Sequence, residues 1–206
     1  MRFGEPFFTR KRMKFILLRI ILPCALIYIG VATIATIRDM TIKNDEYAAV
    51  LLSDYALWEY DYWASPCAFL GSYIPWTYYF NNQNMRVKWF FRAKSADLEK
   101  VIRDPKCQSI VLVGHGSKNC WQATDAEVSN IEVAKMMHGV SKKKGEWLQL
   151  SCGVEDIFPV KMGALVMEDD KVYTYDSAVT TYVFVTDALS GFKYLKYKNR
   201  EPAKGM

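Results

Sequence analysis

The longest unbroken apolar pattern in the chain lies between Arg19 and Arg38, where "IILPCALIYIGVATIATI" holds no charged residue. Phe15 to Leu18 extend it, so residues 15–37 suffice to cross a hydrocarbon core at about 1.5 Å of rise per residue. Beyond it the pattern breaks into shorter apolar runs. "NDEYAAVLLSDYALWEYDYW" (44–63) begins with Asn44 as a candidate N-cap and acids in its first turn. That predicts a juxtamembrane helix within residues 38–64. "CAFLG" (67–71), a short apolar run ended by glycine, predicts a first strand. "MRVKWFF" (85–91) is rich in β-formers and predicts a second. Ser95 can cap a helix over "ADLEKVIRD" that Pro105 stops. "SIVLVG" (109–114) lacks polar alternation, as expected of a central strand covered on both faces.

Ser129 and Glu132 have the spacing of a capping box, and Gly139 marks the end of the helix they start. "EWLQLSCG" (146–153) predicts another short buried strand. "GALVMEDDKVYTYD" predicts a strand pair around Asp169 and Asp170, and Asp176 can cap a last helix towards Gly191. Alternating strands and helices over residues 65–206 predict one α/β domain with a mainly parallel sheet and helices on both faces.

The net charge of +5 gathers in the N-terminal cluster Arg2, Arg10, Lys11, Arg12, Lys14 and Arg19, leaving the rest nearly balanced. No nucleic-acid partner is expected from that balance. The same cluster makes residues 1–14 a basic tail before a transmembrane anchor at 15–37. By the positive-inside bias the tail is cytoplasmic and the domain lies across the membrane, a single-pass arrangement. Thr33-Ile34-Ala35 offers the alternative of a cleaved signal peptide and a secreted domain. Both readings export the domain. Of the five cysteines, Cys24 lies in the anchor, and Cys67, Cys107, Cys120 and Cys152 follow. There is no C-x-x-C pair and no Cys/His cluster at zinc spacing, so neither metal nor cofactor is expected. An exported domain allows a disulfide among Cys67, Cys107 and Cys120; three buried free thiols fit equally well.

Candidate chemistry sits at two strand ends. His115, one of only two histidines, follows "SIVLVG", and Cys152 follows "WLQL" and a serine. If the two strands are parallel neighbours, about 4.8 Å apart, both side chains project from one rim. An imidazole can then take the thiol proton and release a nucleophilic thiolate. Gly116 and Gly153 leave the backbone open beside both groups, and the N–H groups of Gly116 and Cys152 can face a developing oxyanion.

With these residues the domain resembles the caspase-like superfamily of cysteine peptidases, which includes caspases, metacaspases, legumain, clostripain and gingipains. In that family a hydrophobic strand ends in His-Gly and a second ends in a small residue followed by Cys, as in "IVLVGHG" and "WLQLSCG" here. "WQATDAEVSNIEVAKM" resembles the family's connector, a short strand, an acidic turn and a capped helix. The likeness covers roughly residues 65 to 195. It implies a three-layer α/β/α sandwich, a peptide or protein substrate, His115 as general base and Cys152 as nucleophile. His115 stands closer to Cys152 than the roughly 50 residues separating the pair in caspases, which resembles the bacterial branches more. Asp125, Glu155 and Asp156 are the acids near the proposed site and favour a basic substrate side chain. Two other readings stay open. One is a membrane-anchored binding domain with a degenerate site. The other is a domain like the tetrapyrrole metal chelatases, whose opening strand "LVGHGS" resembles and which would need a second histidine such as His138.

Overall fold

In a computed structural model, residues 15–53, 64–117, 120–150, 162–168 and 171–174 are described. The N-terminal apolar segment is a helix, α1 (Leu17–Thr41), whose opening stretch Leu17–Ile21 is π-helical. It is long and apolar enough to cross a membrane by length and composition.

The chain then enters a sheet earlier than its pattern predicts. Tyr47–Leu52 form strand β1, with every residue buried. The helix expected over residues 44–63 is therefore corrected over these six positions. Asn44 does not cap a helix there. Its Oδ1 accepts the Glu46 N–H at 3.1 Å in a tight turn that leads into the strand. A strand buried on both faces has no polar alternation, so its apolar run is indistinguishable from a buried helix by period alone. The reverse correction applies to 67–71. Ala64–Asn81 form helix α2, and Gly71 and Pro75 lie inside it rather than ending a strand.

β2 (Arg86–Phe91) follows as expected. α3 (Ser95–Arg103) starts one residue earlier than a Ser95 cap implies. Lys94 is its N-cap residue, and Asp97 Oδ2 accepts the Lys94 N–H at 2.9 Å. β3 (Cys107–Val113) comes next, then the short strands β4 (Gly116–Ser117), β5 (Cys120–Gln122) and β6 (Glu127–Val128). α4 (Asn130–Met136) carries the expected capping box: Glu132 N–H donates to Ser129 Oγ at 3.4 Å and Ser129 N–H to Glu132 Oε2 at 2.7 Å. Gly139 lies just past its end at φ +74°, a conformation glycine favours. β7 (Trp147–Leu150) is the second expected apolar strand. Of the strand pair expected around Asp169, only the second half is a strand, β8 (Val172–Thr174). The first half is a short helix, α5 (Met162–Val166). Its Gly163 presses on Trp147, where an added Cβ would lie 2.5 Å from the indole. Asp169, Asp170 and the helix expected from Asp176 to Gly191 lie outside the described residues.

Among the described residues the main sheet has five strands in the order β2-β1-β3-β7-β8, all parallel. β3 is central, as its sequence predicts. β4, β5 and β6 form a separate antiparallel sheet beyond its carboxyl end. The residues of β1 alternate between two cores. Ala49 and Leu51 pack with Leu98, Val101 and Ile102 of α3, Val133 of α4 and Val166 of α5. Ala48, Val50 and Leu52 pack with Trp76 and Phe80 of α2. Burying each of the larger side chains contributes about 1.5–3 kcal/mol, so both faces hold the sheet.

Helix α1 lies along α2. Tyr28 Oη donates to the Leu70 carbonyl, and the Thr36 and Tyr73 hydroxyls are 2.6 Å apart. Asn81 Nδ2 and the Val87 N–H both donate to Asp39 Oδ1, at 2.7 and 3.0 Å. Arg38 reaches Asn82 Oδ1 at 2.7 Å, and the Arg86 guanidinium takes the Ile42 carbonyl at 2.6 and 2.9 Å.

Candidate active site

β3 and β7 are adjacent and parallel, in a register that pairs Val113 with Leu150 at their carboxyl ends. The Gly114 N–H donates to the Leu150 carbonyl at 3.5 Å, so the ladder runs one residue past the strand. His115 is the next residue, and its side chain is exposed at the rim. Cys152, Gly153, Glu155 and Asp156 lie outside the described residues. In sequence Cys152 stands as far beyond Leu150 as His115 stands beyond Val113.

The histidine loop is held from both sides. On one side the Ser53 N–H and Oγ, at the end of β1, both donate to the Val113 carbonyl, at 3.0 and 3.2 Å. Gly114 has φ +153°, and an added Cβ would lie 2.0 Å from Ser53 Oγ and 3.2 Å from Trp121 Nε1. Only a residue without a side chain lets β1, β3 and the Trp121 indole converge there. On the other side the Gln122 N–H donates to the His115 carbonyl at 2.9 Å, and Gly116 pairs with Trp121. Antiparallel pairs alternate between hydrogen-bonded and non-hydrogen-bonded positions, which puts Gly116 in the latter. Its N–H therefore points away from β5, as an oxyanion donor requires. Ser53 and Trp121, the supports of this loop, gave no sequence signal. Ser53 sat inside a stretch that patterned as helix, and one buried tryptophan looks like another.

Asp125 sits in the turn before β6, but its carboxylate is turned to a helix. Oδ1 accepts the Ser95 N–H at 2.8 Å and Oδ2 accepts the Ser95 hydroxyl at 3.0 Å. These bonds satisfy an otherwise orphaned N–H at the start of α3 and outweigh desolvation, holding the carboxyl below its ordinary pKa. Asp125→Ala is expected to cost about 1 kcal/mol of stability. Chemical denaturation of the variant checks this.

Cys107 and Cys120 are free thiols. Cys107 opens a seven-residue strand and Cys120 lies beyond its far end, about 20 Å away, so the two cannot bridge. Burial pushes the Cys107 thiol up to about 12. Partial burial and a hydrogen bond to Glu127 push Cys120 up to about 11. Both stay protonated and unreactive at neutral pH. His138 follows α4 and is exposed. Among the described residues no group of three His, Cys, Asp or Glu is placed to hold a metal ion.

No protein-family model matches the chain, and comparison with curated proteins finds no match either.

Proposed function

We propose that the protein is a membrane-held cysteine endopeptidase of the caspase-like superfamily, built as a three-layer α/β/α sandwich. The observation that carries this reading is the parallel pairing of β3 with β7, in register to Val113 and Leu150. The strands that lead into Gly-His-Gly and Ser-Cys-Gly leave the sheet side by side. The connector between them supports it too, since β5, an acidic turn and a capped α4 follow in the order the resemblance implies.

In the proposed reaction His115 accepts the Cys152 thiol proton, and the thiolate attacks the scissile carbonyl carbon. The carbonyl electrons move to oxygen, where the Gly116 and Cys152 N–H groups stabilise the charge. The imidazolium then protonates the leaving amine as the C–N bond breaks, leaving a thioester. Water, deprotonated by His115, attacks the thioester and releases the acid and the thiol. Glu155 and Asp156 remain candidates for a basic side chain in the substrate. Residues 15–37 hold the enzyme to a membrane. For a helix standing clear of the domain, the flanking charges favour a single pass, with residues 1–14 cytoplasmic and the sheet on the far side.

The test is thiol reactivity in the detergent-solubilised full chain. An iodoacetamide-type probe at neutral pH should label Cys152 fast and Cys107 and Cys120 slowly, and the fast phase should vanish in His115→Ala. Uniformly slow labelling of all three would favour a binding domain that has lost its chemistry.

A further inference from the structure

Helix α1 touches the domain by one stripe only. Tyr28, Ala32, Ala35, Thr36 and Asp39 are its half-buried positions, spaced to share one helical face. The small side chains at 32, 35 and 36 let α1 approach α2 closely, and the hydrogen bonds of Tyr28, Thr36 and Asp39 fasten it there. The opposite face carries Leu26, Ile27, Ile34 and Ile37, each more than half exposed. No acid lies on the helix until Asp39, which is turned inward.

This docking bears on how the helix meets a membrane. From Tyr28 onward α1 runs beside α2, which is backed by the sheet, whose strand β2 exposes Arg86 and Lys88 and is followed by the exposed Arg92. Those charges exclude that stretch from a hydrocarbon core while it stays docked. The part left free, Leu17–Ile27, is about 17 Å long, well short of a core of about 30 Å. A docked α1 is too short to cross. It is long enough to lie in the interface with Leu26, Ile27, Ile34 and Ile37 in the acyl region and the domain covering its other face. Arg19, on α1, then lies at that surface, and the basic residues Arg2, Arg10, Lys11, Arg12 and Lys14 precede it in sequence, a charge that anionic headgroups complement.

We propose that α1 is an in-plane anchor that seats the domain directly on an anionic lipid surface, with the basic tail and the sheet on the same side. The inference rests on the membrane part of the proposed function and is independent of the peptidase. The full chain, tagged at both ends, is made by cell-free synthesis with sealed vesicles of phosphatidylcholine, with or without phosphatidylglycerol. Vesicles are floated and treated with external protease.

The expected result is flotation that is at least tenfold stronger with phosphatidylglycerol and falls with salt, and loss of both tags from the floated molecules. Ile34→Glu with Ile37→Glu should release the chain without unfolding it, since neither side chain packs on the domain. One tag protected in every floated molecule would overturn the in-plane placement and leave a single pass standing. Equal, salt-insensitive flotation on both vesicle types would overturn the anionic surface. A chain that stays in the aqueous fraction as a dimer would assign the apolar face to a second copy and sink membrane attachment altogether.

Discussion

Cys152→Ala is expected to abolish peptide cleavage, with a loss of roughly 10⁴-fold or more, and His115→Ala to lose about 10³-fold. The double variant should be hardly worse than Cys152→Ala, because a base and the nucleophile it serves fail as one unit. His115 is exposed beyond the end of β3 and adds little to either core, so the fold should survive its removal. A peptide library incubated with the solubilised full chain and each variant measures this, with thermal unfolding as the control. Cleavage persisting in Cys152→Ala would move the activity elsewhere. Additive losses would mean that His115 acts apart from the cysteine.

Gly114→Ala is expected to damage both stability and activity. The methyl would enter a space where Ser53 Oγ lies 2.0 Å away, at a backbone φ of +153° that side chains disfavour. Overpacking and strain together should cost about 3 kcal/mol, visible as a lowered denaturation midpoint. The two causes separate in a double variant. Ser53→Gly removes the collision with the hydroxyl and should restore part of the loss, leaving the backbone strain. Tolerance of Gly114→Ala within 0.5 kcal/mol would contradict the tight convergence of β1 and β3 at this point.

What could be read from the residues follows from how local each signal is. β3 and β7 were legible because short, mostly apolar runs bounded by small residues have few other solutions in an alternating α/β pattern. The start of α4 was legible because a capping box is written within four adjacent positions. β1 and α2 exchanged identities for a shared reason. β1 is buried on both faces, and α2 lies between the sheet and α1, so neither shows the polar side that would reveal its period. Gly71 and Pro75 then punctuated a helix as though it were a strand end. At the site, His115 stood out because histidine is scarce. The loop's supports did not, because Ser53 reaches Val113 and Gly114 across 60 positions of chain. The bond between Asp125 and Ser95 was hidden for the same reason, since Ser95 lies 30 positions upstream.

The strand order also fixes when the proposed site can come together during synthesis. The ribosome delivers β1, β2 and β3 first, and these can pair among themselves as soon as they emerge. The other edge of β3 has no mate until Trp147–Leu150 follow, so the nascent chain carries a bare strand border, apolar from Ile110 to Val113, through the making of β4 to α4. Closing that border is the same event that brings Leu150 alongside Val113. A chain released before Trp147 would hold a histidine but no cysteine nucleophile at the rim, and a sticky edge in place of a catalyst. Activity on this reading is a property of the finished polypeptide alone, which spares the cell an early-acting peptidase at the cost of an interval of exposure to aggregation.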